Sequence, residues 1–417
     1  MTIIQQPTFI DIEILIQLDV KERHAHIFSP IDFYPMVLLF QKETHVGAPI
    51  TLNYEAAIRA MITRYIEGIP SIKALVQRLN EDVAFKLSLG FLYSERVPSE
   101  ASFCRIMKIL SDNPTVLVQL NDELLAKINQ EFQIYTEIVA IDATSVDGHS
   151  KPKKTENEKV SSTTVQKEMT LKEIRQELPI YPSWGVKANS QGKHNYWFGY
   201  KTHYAVTAHS QYILAGITTS AFVADVSVAI PLMMKVADLG IEDTMVLMDK
   251  GYDAHSIYEK AHELKLEPII DLKRVPKNDG EIDRFYAPTC LLEYSYKYDS
   301  FDKRYSALKF TKPETHCRDC PLRNEGLCQT VIKIKQSDNF RKYSQPARGT
   351  RAWRKHYKER TSVERVNAYL KDNYSLNSTN YFIATRVVVE HQLIQLAYNL
   401  KTFCAQLLAK KEAVMSF

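Results

Sequence analysis

A change of hydrophobic period near residue 131 constrains this chain more than any other feature. Before it, apolar residues recur at three- and four-residue intervals, first in ALVQRLNEDVAFKLSLGF and then in SFCRIMKILSDNPTVLVQLNDELLAKI. That is the period of amphipathic helices. After it, short β-rich runs alternate with helical ones. EIVAIDAT, YWFGYKTHYAVTA and YILAGITTS read as three strands, ADVSVAIPLMMKVADLG as a helix and TMVLMDKGYD as a fourth strand. AHSIYEKAHELK then reads as a helix and EPIIDLKR as a fifth strand. The order predicts an α/β domain with a mixed five-stranded sheet and flanking helices, preceded by an all-α domain.

A length of 417 residues suits about two or three domains. The expected division is a helical domain over 1–130, an α/β domain over 131–275 and 346–417, and a cysteine-rich insertion over 276–345. Two polar stretches interrupt the pattern. Lys151 to Glu168 reads as a mobile loop, with a short helix to follow at TLKEIRQEL, and Val275 to Gln345 forms the insertion. In the helical part, YSERVPSEAS reads as a turn whose Ser99 and Glu100 suit a helix start. Helices around such a turn serve either a helix-turn-helix contact to DNA or plain helical packing.

The longest apolar runs, such as Met36 to Phe40, fall far short of the roughly 20 residues needed to span a membrane. The opening MTIIQQPTFIDIEILIQ lacks the basic region of a secretory signal. A cytoplasmic protein is therefore expected. Its net charge of +4 is small, but Val331 to Lys371 holds 12 Lys and Arg against 3 Asp and Glu. This stretch is either a nucleic-acid contact or a solvated basic surface.

Four of the six cysteines, Cys290, Cys317, Cys320 and Cys328, crowd into the insertion. Cys317-x2-Cys320 with two further thiols suits a tetrahedral structural Zn²⁺, with Pro321 and Gly326 supplying turns and His316 a spare donor. Four reduced structural thiols are the alternative. Cys104 and Cys404 lie on apolar helical patterns and are expected in the core.

Three acids are candidates for chemistry. Asp142 and Asp249 each end a run of buried-type residues, VAID and VLMD, where an acid serves a site or merely caps a turn. Glu364 lies in KHYKERTSVERVNAYLKDNY, which reads as one helix. At roughly 100° per residue, Tyr357, Arg360, Glu364 and Lys371 share one stripe, while Val363, Val366 and Leu370 fall on another face. An exposed helix with i,i+4 charge pairs is the plainer reading. Two Asp and one Glu suit two hard divalent cations about 4 Å apart, which stabilise the attacking and leaving oxygens of a phosphodiester.

The stripe of Tyr, two residues, Arg, three residues, Glu, six residues and Lys resembles the signature of bacterial insertion-sequence DDE transposases of the cut-and-paste type. VAIDAT, WFGYKTH from Trp197 to His203, DKGYD, RTSVER and AYNLK resemble that family in the same order. IEGIPSIKALVQRLNEDVAFKLSLG, with VPSEASFCRIM, is similar to its helical N-terminal domain. The resemblance implies an RNase H-like catalytic domain with Asp142, Asp249 and Glu364 as metal-binding catalytic acids and two Mg²⁺ or Mn²⁺ as cofactors. It selects Asp249 over the neighbouring Asp253. Tyr357, Arg360 and Lys371 would contact DNA. It further implies cleavage at the element's ends and strand transfer, with the terminal inverted repeats and target DNA as double-stranded partners. A homodimer on DNA and a nucleoid-associated location would follow. A host-adopted nuclease without strand transfer and a non-catalytic DNA-binding relic are the alternatives.

Overall fold

The computed structural model describes residues 19–41, 52–152, 159–188, 192–274, 280–323 and 325–415. The opening segment, read above as lacking a signal, lies outside them, as do residues 153–158 of the polar loop.

Seven helices come first: α1 (Val20–Phe28), α2 (Tyr34–Leu38), α3 (Tyr54–Ile66), α4 (Ile72–Glu81), α5 (Val83–Ser88), α6 (Glu100–Asp112) and α7 (Thr115–Phe132). Their ends follow from side-chain caps, which satisfy amides that a helix start leaves without partners. Asp82 interrupts one apolar run by accepting from the Phe85 amide at 2.9 Å, so α4 and α5 are separate. Ser99 caps α6, as the sequence suggests. Cys104 on α6 is exposed, contrary to expectation, because Phe103, Ile106, Met107 and Leu110 take the buried face; Cys404 is buried.

The central sheet has six strands, one more than predicted: β1 (Val139–Asp147), β2 (Ser183–Ala188), β3 (His194–Thr207), β4 (Ile213–Ser220), β5 (Thr244–Met248) and β6 (Leu266–Ile270). The long β3 pairs with β1 along one side and with β2 and β4, end to end, along the other. β1 also pairs with β5, and β5 with β6, in parallel. The unforeseen strand is β2, whose Trp184 and Val186 are exposed. Main-chain pairing to β3 holds it at an edge, and a strand with little buried face leaves a weak alternation to read. Asp142 is the fourth residue of β1, not its end, because ATSVD continues the pairing as far as Gly199.

Helices flank the sheet: α8 (Thr163–Gln166), α9 (Leu171–Glu177), α10 (Val226–Asp238) and α11 (His255–Glu263). α8 falls within the stretch expected to be mobile. It is anchored where the buried Gln166 donates to the Ser227 carbonyl at 3.0 Å and Ser256 to Thr163 at 2.7 Å. Two hydrogen bonds into the core thus order a segment that its composition alone would leave loose. The capping box of Thr170 and Glu173 starts α9.

The region 276–345 carries an antiparallel sheet of β7 (Lys297–Asp302), β8 (Ala307–Thr311) and β9 (Val331–Lys335), with the short α12 (Glu314–Cys317). Its small core of Tyr296, Leu308, Phe310 and Ala347 is separate from the main one. Three helices close the chain: α13 (Arg351–Lys358), α14 (Thr361–Asn373) and α15 (Ala384–Met415). α15 is apolar on several sides and packs against α1, α3, α6, α7 and β4, so one hydrophobic core runs from the first helices into the sheet. Among the described residues no helix is long and apolar enough to cross a membrane.

Candidate active site

Parallel pairing of β1 and β5 brings the two aspartates together. Val139 pairs with Val246 and Ala140 with Leu247. Continued two residues, that register sets Asp249 abreast of Asp142 on strands about 4.8 Å apart. Asp249 follows β5 directly, and its side chain accepts from the Gly251 amide at 2.6 Å. Burial pushes the Asp142 carboxyl up to about 6, against the pull of the Ala143 amide and Lys187, and the charges of Asp249 and Asp225 raise it further.

The segment predicted as one helix is two. At Glu359 and Arg360 the hydrogen bonds shorten to i→i+3, from Glu359 to His356 and from Arg360 to Tyr357. α13 packs against β6 whereas α14 packs against β1 and β3, and the chain turns to follow both. Even so, the stripe keeps its neighbours. Arg360 lies 5.8 Å from the Tyr357 ring and donates to Glu364 Oε1 at 2.6 Å. Tyr357 stacks on Trp353 with ring centroids 4.9 Å apart. Lys371, at the far end of α14, donates to Ser145 Oγ of β1 at 3.3 Å. The helix therefore runs along β1, with Arg360 near Asp142 and Lys371 near Ser145 and Asp147.

A family model described as Transposase DDE domain matches residues 136–400. The chain belongs to the DDE transposase family. A second model, described as Transposase domain (DUF772), matches residues 14–108. No curated protein matches the transposase. Among the solved structures similar to it is the piggyBac transposase synaptic complex with hairpin DNA, determined by cryo-electron microscopy. That structure is 10% identical over 97% of this chain and 76% of its own, with a TM-score of 0.38. A likeness so loose fixes no detail of the transposase.

Several residues around the acids of the transposase escaped the sequence reading. Asp225, just before α10, receives the Lys201 ammonium at 2.8 Å. Burial pushes its carboxyl up, but His203, Lys201 and Lys187 outweigh that and hold it below its ordinary value. His203 is fully buried, which pulls its imidazole down to about 4, and it shares a 3.0 Å hydrogen bond with Thr219. The buried Tyr252 hydroxyl lies within the field of Asp142, Asp225, Asp249 and Arg360 and has no hydrogen-bond partner among the described residues. Lys201 and His203 belong to WFGYKTH, a signal the sequence held without a role. Asp225 looked like an ordinary helix start.

Asp253, the competing acid, is held elsewhere. Arg341 donates Nε to Oδ1 and Nη2 to Oδ2, both at 2.7 Å, while the Tyr258 hydroxyl and the Lys273 amide complete its shell. The four cysteines of the insertion are free thiols, and Cys317 lies within the field of Cys290, Cys320 and Cys328. As folded, and among the described residues, no three His, Cys, Asp or Glu side chains are close enough to share an ion. Asp142 and Asp249 nonetheless suit a hard cation: both offer carboxylate oxygens, and a divalent ion would relieve the repulsion that keeps the buried Asp142 high.

Proposed function

We propose that this transposase cleaves DNA at the ends of its element and joins the freed 3′-hydroxyl to target DNA, using Asp142, Asp249 and Glu364. The observation that carries the reading is the shared register of Asp142 and Asp249 on adjacent parallel strands, with α14 delivering Arg360 and Glu364 alongside. The strand order, with β1 between antiparallel β3 and parallel β5, supports an RNase H-like reading of the domain.

Asp142, Asp249 and Glu364 would hold Mg²⁺ or Mn²⁺, and when bound the ions supply charge stabilisation to the attacking and leaving oxygens. The chain's own residues orient the strand. Arg360 offers a planar fork of donors that fits a phosphate bidentately. Its present partner is Glu364, so transfer of the guanidinium to a phosphate would free that carboxylate to turn toward the two aspartates. Tyr357, stacked on Trp353, forms a wall beside Arg360, and Lys371 adds a point charge farther along the strand. The buried surroundings of Asp142 exclude water and strengthen each of these interactions.

For the insertion we infer a structural Zn²⁺ on Cys290, Cys317, Cys320 and Cys328. The support is that the other three lie within the field of Cys317, in a module whose own core is only a few residues. The N-terminal helices would read the terminal repeats as double-stranded DNA, and two subunits would act because an element has two ends.

Glu364→Gln tests the catalytic assignment. It should abolish cleavage and strand transfer of duplexes carrying the element's ends while leaving end binding in place. Undiminished Mg²⁺-dependent cutting by that variant sinks the assignment.

A further inference from the structure

We propose that Lys187, on the hairpin of β2 and β3, is a phosphate-binding residue of this site and grips with Lys371 the DNA strand that crosses Asp142. The inference rests on the DNA-cleaving reading above and adds a residue that lies outside the Tyr, Arg, Glu and Lys stripe.

The argument starts from the pleat. Directly opposed residues of an antiparallel pair share a face, and along a strand every second residue returns to it. Lys187 opposes Asn195 and Gly185 opposes Trp197; two further steps along β3 reach Gly199 and Lys201, and Lys201 opposes Ser145 of β1. Lys187, Trp197, Lys201 and Ser145 therefore lie on one face of the sheet. Lys371 reaches the same face, donating to Ser145 Oγ at 3.3 Å. The Trp197 ring lies over Gly185, where a Cβ would run into it, and the Lys201 ammonium is 5.8 Å from the ring centroid.

The two outer lysines differ from Lys201 in what they hold. Lys201 is committed to Asp225 and to the Val223 carbonyl at 2.9 Å. Lys187 is exposed and forms no hydrogen bond or ion pair with any described residue. Lys371 is bound only to the neutral Ser145 hydroxyl among the described residues. Their charges nevertheless meet. Burial lowers the Lys371 ammonium, and Lys187 lowers it further against the opposing pull of Asp147; Lys187 also pulls on Asp142 and Asp225. Two ammonium groups that repel each other across an open face suit a shared anion, and a phosphodiester between them would turn that repulsion into attraction. A lysine that merely guards a sheet edge is the common role on a strand like β2, but such a role needs no proximity to Lys371 or to the acids.

The test uses the full-length protein and a duplex from the DNA flanking its own coding element. Binding is titrated against salt in Ca²⁺, and cleavage is measured in Mg²⁺. Lys187→Gln should lower the slope of log affinity against log salt by about 0.9, the contribution of one phosphate contact. It should raise KM more than it lowers kcat, and Lys187→Arg should restore most of both. Because Lys187 is exposed, the thermal midpoint of each variant should stay near that of the parent, which separates a binding loss from misfolding. If the parent protein binds and cuts while Lys187→Gln keeps the same salt slope and KM, the proposal is overturned. If the parent neither binds nor cuts the duplex, the DNA-cleaving reading itself fails.

Discussion

Arg360 donates from Nη1 to Oε1 of Glu364 at 2.6 Å, one helical turn apart, and so the basic and acidic members of the stripe neutralise one another. The guanidinium sits at the turn between α13 and α14 and also faces the Tyr357 ring. A plain i,i+4 pair of this kind stabilises an exposed helix by only about 0.2–0.5 kcal/mol. Its position beside Asp142 gives the pair its interest, because whatever releases Arg360 also releases Glu364.

Arg360→Ala should therefore lower cleavage of element-end duplexes by about 10²-fold or more, the usual loss when one positioned donor to a reacting group is removed. Arg360→Lys should recover only part of it, since an ammonium cannot reproduce the planar fork. Parental cleavage rates in the alanine variant would show that the arginine does not serve the reaction.

Acid dependence follows from Asp142. Its folded value of about 6 lies above the roughly 3.9 of an unfolded aspartate. Between those values the folded state holds a proton that the unfolded state has lost, so stability falls as pH rises through that window, by at most about 3 kcal/mol. Buried Glu267, raised to about 7 by burial, contributes in the same direction over a window ending higher. Added Mg²⁺ should raise the melting temperature at about pH 8 and have little effect at about pH 5, where protons compete for the carboxylate. Asp142→Asn should lose that Mg²⁺ response. Melts with and without the ion check this, and an equal gain at both pH values counts against a metal site at Asp142.

Arg341→Ala should destabilise the fold by on the order of 3 kcal/mol, because it strands the buried Asp253 carboxylate without its counter-charge. Arg341 joins the chain after β9 to the segment after β5, so the loss should also loosen the insertion from the sheet. Replacing Asp253 by Asn together with Arg341 by Met should cost less than the single change. Urea unfolding of the three variants measures this; a single variant as stable as the parent would contradict it.

Metal analysis of purified protein should find about one zinc per chain, and Cys317→Ser with Cys320→Ser should remove it. Chelation should then expose the region 276–345 to protease while leaving the central sheet protected. Metal-free protein with an unchanged digestion pattern removes the zinc assignment.

Much of the fold was legible along the chain. The helices announced themselves by apolar period and by caps such as Ser99 and Thr170, and five of the six central strands by β-rich runs. β2 was hidden because its Trp184 and Val186 face outward and its stability comes from main-chain pairing. The break at Glu359 and Arg360 was hidden because both residues remain near helical dihedrals; only the different packing of α13 and α14 turns the chain.

The sequence by itself determined the local elements, the four-residue stripe and its likeness to the DDE transposases, since periodicity and spacing are properties of neighbouring residues. Which acids share a space was decided only in three dimensions. Asp249 stands abreast of Asp142 because β1 and β5 pair in parallel at one register, and Asp253 is turned aside because Arg341 occupies both its oxygens. Asp225, Lys201 and Lys187 entered the site through the pleat of β2, β3 and β1 and the start of α10. Register between strands distant in sequence depends on the packing of the whole core, and no local pattern encodes it.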